Sequence, residues 1–191
     1  DPVQQLLEEM TLEQKVGQLF LVRPDSLDLS QTQDQINDAK ADGVTELTDA
    51  MRQTLAEYPV GGVVIFGKNL ESPQQITQFL DDLQQASDMP LFTAIDEEGG
   101  LVARLANNAA FDLPQYESAA AVGTSGNPED ARAMGRTIGG YLKEYGFNLD
   151  FAPVADVNTN PDNPVIGTRA FSSEPQTAAE LVGGACAGFA D

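Results

Sequence analysis

Leu91 to Leu105 reads LFTAIDEEGGLVARL. The opening LFTAI is apolar or β-prone and suits a strand buried on both faces. Three carboxylates follow at once, Asp96, Glu97 and Glu98, and then Gly99 and Gly100. A buried strand that ends in acids and a glycine turn puts charge where the backbone leaves the core. In parallel α/β folds that edge, at the C-terminal ends of the strands, carries the ligand.

Upstream of this stretch, Val60 to Phe66 is a second candidate strand, the most β-branched run in the chain. Ser72-Pro73 then opens a helix with Ile76, Phe79, Leu80 and Leu83 on one face. Further upstream, Val16 to Val22 reads as the first strand, ended by Arg23-Pro24. Before it, Val3, Leu6, Leu7 and Met10 recur at helical spacing, and Thr11 with Gln14 fits a capping box. The segment 25–58 is polar and irregular, with Ser30 and Thr45 as candidate caps of two helices.

Downstream, 107–126 reads as a loop. Asn127-Pro128 starts a helix that turns Ala131, Met134, Ile138, Tyr141, Leu142 and Tyr145 inward and stops at Gly146. Gly139-Gly140 inside it implies close packing on a neighbour. Phe147 to Pro153 is the fourth strand. Asn148 and Asp150 alternate there with apolar residues, so one face looks into a polar interior. A second loop, 154–174, holds Asp156, Asn158, Asp162 and Arg169. A last helix, Pro175 to Ala190, carries Leu181, Val182 and Cys186, the cysteine read as buried filler. Strand and helix alternate four times, which implies parallel strands joined by right-handed crossovers. An open doubly wound sheet and part of an eightfold barrel both fit. No GxGxxG opens a helix and no GxxxxGK[ST] occurs, so the nucleotide-binding versions lose support.

Composition narrows the function. The 191 residues suit one domain, and 41% hydrophobic content supports a real core. Thirty Asp and Glu against ten Lys and Arg give a net charge of −20. That disfavours nucleic acid and anionic membrane as partners. There is no histidine, so no histidine base, triad or metal ligand is available. One cysteine excludes an internal disulfide and, with no histidine, a structural zinc site. No apolar run is long enough to span a bilayer. The start at Asp1-Pro2 fits a removed leader, and the acidity leans towards an extracytoplasmic or secreted setting, with the cytoplasm as the alternative.

If the strands are parallel, Asp96, Glu97, Asp156 and Arg169 all lie in segments that leave strand C-termini and can converge. Carboxylates there can hold sugar hydroxyls, bind a divalent metal or move protons. An arginine among them can hold an anionic or carbonyl group, or fix a carboxylate. Plainer readings stand beside these. Asp96 caps the Gly99-Gly100 turn, Asp156 makes an Asx-turn, Arg104 forms a surface ion pair or locks the acid cluster, and Glu98 is solvated.

Four motifs carry a resemblance to the N-terminal barrel domain of glycoside hydrolase family 3. They are MTLEQKVGQLF at Met10 to Phe20, IDEEGGLVARL at Ile95 to Leu105, GFNLDFAPVADV at Gly146 to Val157 and NPVIGTRAFSSEP at Asn163 to Pro175. The second resembles the hexosaminidase pattern IDxEGGxVxRL; the β-glucosidase branch usually has His-Gly at Glu98-Gly99. Leu101 departs from it, where the branch commonly has Arg. The resemblance implies an eightfold β/α barrel and a retaining mechanism through a glycosyl-enzyme. By motif position, Asp96 would hold hydroxyls of the sugar, and Arg104 and Arg169 would complete the pocket, with no cofactor or metal.

The family continues into a fifth strand with a Lys-His-Phe-Pro-Gly-His-Gly pattern, whose histidine is the acid/base in the hexosaminidase branch. Its nucleophilic aspartate lies on a still later strand, and neither motif occurs here. The expectation is therefore a single region, residues 1–191, forming about the first half of a barrel in four parallel β/α units. Its parent would be a β-N-acetylhexosaminidase acting on terminal β-linked N-acetylglucosamine, and the piece alone would be inactive. A non-catalytic sugar-binding module, another family specificity such as β-glucosidase, and a metal-dependent enzyme using Asp96, Glu97 and Asp156 are the alternatives. Half a barrel bares strand edges, which would pair with the rest of the barrel or drive self-association.

Overall fold

The computed structural model describes residues 1–191. It divides into two compact units, Asp1–Ala94 with Gly146–Leu149, and Ile95–Tyr145 with Asp150–Asp191.

The first unit begins with α1 (Pro2–Glu9) and α2 (Leu12–Gly17). Thr11 caps α2 through the capping box with Gln14 that the sequence implies. That cap launches a helix strong enough to run through Val16-Gly17, so the first strand is not Val16 to Val22. It is only β1 (Leu21–Val22). Gly17 fixes the helix end, since a side chain there would collide with the Pro59 carbonyl. The excursion after β1 holds α3 (Gln33–Asn37) and α4 (Asp49–Glu57), capped by Thr32 and Thr48 rather than by Ser30 and Thr45. Ser30 is instead bound to Asp28. Then come β2 (Gly62–Ile65), α5 (Pro73–Ala86), capped by Ser72, and β3 (Phe92–Ile95).

A buried ion pair pins this excursion. Asp25 is fully buried, and its Oδ1 lies 3.2 Å from Lys68 Nζ. Asn69 Nδ2 donates to Asp25 Oδ2 at 3.0 Å, and the Val44 N–H donates to Oδ1. Lys68 also donates to the carbonyls of Gln35 and Ile36. Each charge has its partners, which is the condition under which burial of an ion pair is tolerated.

In the second unit, β4 (Glu97–Gly99) pairs antiparallel with β5 (Val102–Ala103). The acid stretch is therefore a tight hairpin and not an open loop. Gly99 and Gly100 turn it with φ of +81° and +71°, values that L side chains rarely adopt. The helices α6 (Ala119–Gly123), within the segment read as loop, and α7 (Pro128–Glu144) follow. Gly146 ends α7 as read, with φ +92°. Next are β6 (Leu149–Asp150) and α8 (Pro175–Ala190). The fourth strand is shorter than 147–153: the Phe151 N–H still donates to the Ile95 carbonyl, and Pro153 beyond it has no N–H to donate. Asn148 extends it, its side chain bonding the Thr93 N–H and the Leu91 carbonyl.

The inward face read for α7 holds, with Ala131, Met134, Ile138, Tyr141 and Leu142 buried and Tyr145 half-buried. Close packing of α7 on α8 comes from Gly135, Gly184 and Gly188, where any Cβ would strike a carbonyl of the other helix. Gly139 lies against Phe189, but Gly140 faces open space. Cys186 is exposed, contrary to its reading as filler, because Leu181, Ala185 and Gly188 form the buried stripe of α8.

The main sheet runs in the order β1-β2-β3-β6 and is parallel, so four β/α units are present and the fold class is α/β. No barrel closes; β1 and β6 are the outer strands. No helix is long and apolar enough to cross a membrane.

Candidate functional site

All the candidate residues sit in the second unit, and the hairpin organises them. In an extended chain successive side chains point opposite ways. Asp96 and Glu98 therefore share one side and Glu97 takes the other. Asp96 Oδ2 accepts from Arg104 Nη2 at 3.0 Å, across the hairpin. The pair is partly open, with side-chain exposures of 26% and 33%. Asp96 is thus not the cap of the Gly99-Gly100 turn, and Arg104 does lock the acid cluster.

Glu98 is buried, against the reading of it as solvated. Its two oxygens accept from Arg169 Nη2 at 2.6 Å and Nε at 2.7 Å. A bidentate pair of this kind fixes both direction and distance. The Arg169 guanidinium is held above its ordinary pKa, first by this bond to Glu98, against the cost of burial, and then by the negative charges of Glu98, Asp156 and Asp96. Arg169 and Asp96 therefore belong to one electrostatic neighbourhood. Asp156 itself is exposed, and the Asx-turns of its loop are made by Asn160 and Asn163 instead.

Glu97 is fully buried and accepts three hydrogen bonds at 2.9 Å. The donors are the Leu105 and Ala106 backbone N–H groups and the Tyr141 hydroxyl. Burial, and then the Glu97 charge, hold the Tyr141 phenol far above its ordinary range, so it remains a donor. Glu97 ties the hairpin to the segment following Arg104 and to α7. That role, and the parts of Tyr141 and Asp150, escaped the sequence reading. The signal for Tyr141 was its inward place on α7; nothing local marked its hydroxyl.

Asp150, on β6, accepts the Glu97 N–H at 2.9 Å. Its carboxyl is pushed up to about 8, chiefly by burial, with the charges of Glu97, Asp96 and Glu98 adding and the Glu97 N–H opposing. The result is a shelf of two ion pairs, Asp96–Arg104 and Glu98–Arg169, on a hairpin anchored through Glu97. Partly open carboxylate and guanidinium groups held in ion pairs suit a neutral polyhydroxy ligand, which offers donors to the former and acceptors to the latter. No group of three or more Asp, Glu, Cys or His side chains is arranged to hold a metal ion.

The model of the glycosyl hydrolase family 3 N-terminal domain matches residues 11–191. The chain is 36% identical over 143 residues to a protein named beta-hexosaminidase A from Pseudoalteromonas piscicida, covering 72% of this chain and 24% of that one. It is 33% identical over 153 residues to beta-hexosaminidase LpqI of Mycobacterium tuberculosis, covering 78% of this chain and 37% of the relative. Among solved structures, a family 3 beta-N-acetylglucosaminidase from Paenibacillus superposes with a TM-score of 0.79 at 34% identity, over 95% of this chain and 31% of that one. A beta-N-acetylhexosaminidase from Beutenbergia cavernae gives 0.74 at 26%, over 95% and 51%. The chain thus spans between a quarter and two fifths of the length of these curated relatives. The structural neighbours are of TIM-barrel type, and the four parallel β/α units here are that architecture in part. The chain belongs to glycosyl hydrolase family 3 and represents its N-terminal domain.

Proposed function

We propose that this chain is the sugar-binding part of a retaining β-N-acetylhexosaminidase, specific for terminal β-linked N-acetylglucosamine. Asp96 accepts hydroxyls of the sugar bound in the cleaved-unit subsite, and Arg104 and Arg169 complete the pocket. The observation that carries this reading is the shelf itself. Asp96 is partly open and is held by Arg104, and Glu98, two residues on, holds Arg169. Relatives named beta-hexosaminidase support the choice of sugar. Retaining hydrolysis needs a nucleophile and a proton donor, two carboxyl groups in most such enzymes. The 191 residues contain no histidine to serve as the donor used in the hexosaminidase branch. Binding without turnover is therefore the activity expected of this chain.

Calorimetry with N-acetylglucosamine tests the reading. Wild type should bind, Asp96→Ala should lose at least tenfold in affinity, about 1.4 kcal/mol, and a chromogenic β-N-acetylglucosaminide should not be turned over. Equal affinity for glucose would move the assignment to the β-glucosidase branch.

A second part of the proposal concerns partners. The sheet ends at β1 and β6, and Leu19 and Phe20 just before β1 and Leu21 on it are exposed. Open edges pair with further strands, from the rest of a barrel or from a second copy. A strictly monomeric chain in light scattering would count against the second copy.

A further inference from the structure

Asp150 carries a feature that sugar binding leaves unexplained. Its Oδ1 accepts the Glu97 N–H from 53 residues away. Its Oδ2 is buried and has no hydrogen-bond partner. The charges near enough to act on it are those of Glu97, Asp96 and Glu98, all negative, and the Tyr141 phenol is near as well. The two arginines of the region are bonded elsewhere, Arg104 to Asp96 and Arg169 to Glu98. A bare, ionised carboxylate oxygen in such surroundings carries a large desolvation cost, and a neutral acid avoids it.

We propose that Asp150 is a positioning residue: as a neutral acid it pins the Glu97 backbone, and so sets the directions in which Asp96 and Glu98 meet their arginines. The Glu97 amide is the point where β3 gives way to the hairpin. Fixing it fixes the alternation that sends Asp96 and Glu98 to one side and Glu97 to the other. Ionisation of Asp150 adds a fourth negative charge to a stretch that already carries three. That charge drives the hairpin away from β6 and spoils the shelf. The positioning claim stands without the sugar; only its consequence for affinity rests on the sugar-binding reading.

The sign of the pH dependence follows from the raised acidity constant. The folded form holds its proton up to about 8, and the free carboxyl only to 3.8. The stabilisation from Asp150 is complete below the lower value and is lost as pH rises through the upper one. Asparagine keeps the acceptor for Glu97, places a donor where the acid carries its hydroxyl, and cannot ionise.

The test compares wild type, Asp150→Asn and Asp150→Ala by urea denaturation between pH 5 and pH 9, by hydrogen exchange of the Glu97 amide at pH 7, and by calorimetry with N-acetylglucosamine across the same pH range. Wild type should lose stability and about threefold or more of its affinity between pH 7 and 9. Asp150→Asn should lack that component and keep the Glu97 amide protected. Asp150→Ala should exchange it about tenfold faster. Identical pH profiles for wild type and Asp150→Asn, or unchanged Glu97 protection in Asp150→Ala, would overturn the proposal. If Asp150→Ala does not fold, the Asp150→Asn profile decides alone. If no variant binds sugar at any pH, the sugar-binding reading fails, while exchange and denaturation still decide the role of Asp150.

Discussion

Arg169 and Glu98 are 71 residues apart in sequence and meet through two parallel hydrogen bonds of 2.6 and 2.7 Å, with the carboxylate buried. This pair joins the hairpin to the loop before α8. Removing one partner leaves the other charge partly desolvated. Arg169→Ala should therefore cost about 2–4 kcal/mol, towards the lower end because Arg169 retains some exposure. Glu98→Gln should cost less, since an amide still accepts one of the two bonds. The double variant should be less destabilised than the sum of the singles. Urea denaturation measures all three, and strict additivity would show that the pair is not coupled.

Asp96 and Arg104 should behave differently. Their pair is about a quarter to a third exposed, so it contributes on the order of 0–1 kcal/mol to stability. Asp96→Ala is predicted to unfold within about 1 kcal/mol of wild type, while its N-acetylglucosamine affinity collapses. Loss of fold and affinity together would make Asp96 part of the scaffold.

Tyr141 donates to a fully buried carboxylate, and burial holds its proton in place. The chain has four tyrosines. In an alkaline absorbance titration of the folded protein Tyr141 should stay silent. Tyr141→Phe should leave the titrating amplitude of the folded state unchanged and cost about 1–2 kcal/mol in denaturant. A drop in that amplitude would mean that Tyr141 is open to solvent.

The contact between α7 and α8 offers a test within one residue type. Gly188→Ala would drive a Cβ into the Arg132 carbonyl, a backbone atom that cannot step aside. A loss of about 1–3 kcal/mol is expected. Gly140, on α7 and facing open space, should accept Ala with a gain of up to about 1 kcal/mol. Similar melting shifts for the two variants would contradict the packing described.

Net charge predicts a salt response. With a balance of −20, self-repulsion opposes the folded state, and screening relieves it. Raising sodium chloride from about 10 mM to about 0.5 M should raise the melting temperature by about 3 °C or more. The buried Asp25–Lys68 pair is shielded from salt and should not reverse the trend.

The helices were legible wherever a cap met a periodic apolar face. Ser72-Pro73 before Ile76 and Asn127-Pro128 before Ala131 read correctly, because caps and periodicity are local facts; Pro175 to Ala190 read correctly from its proline and apolar content, without a side-chain cap. Strand lengths were not. Val16 to Val22 has the composition of a strand, yet the helix capped by Thr11 takes Val16 and Gly17, a turn takes 18–20, and only Leu21 and Val22 find a ladder.

The sequence by itself determined the alternation of four strands with helices, the acid-glycine turn at the end of the third strand, and the motifs that carry family membership. It also put Asp96, Glu97, Asp156 and Arg169 in segments that leave strand C-termini, and its motifs added Arg104. Only the tertiary structure decided the work of each carboxylate. Glu97 and Glu98 are chemically the same and adjacent, yet one holds backbone amides and a tyrosine and the other an arginine 71 residues away. Chain direction sends their side chains to opposite sides, and what waits there is set by elements far apart in sequence. No local rule reads that.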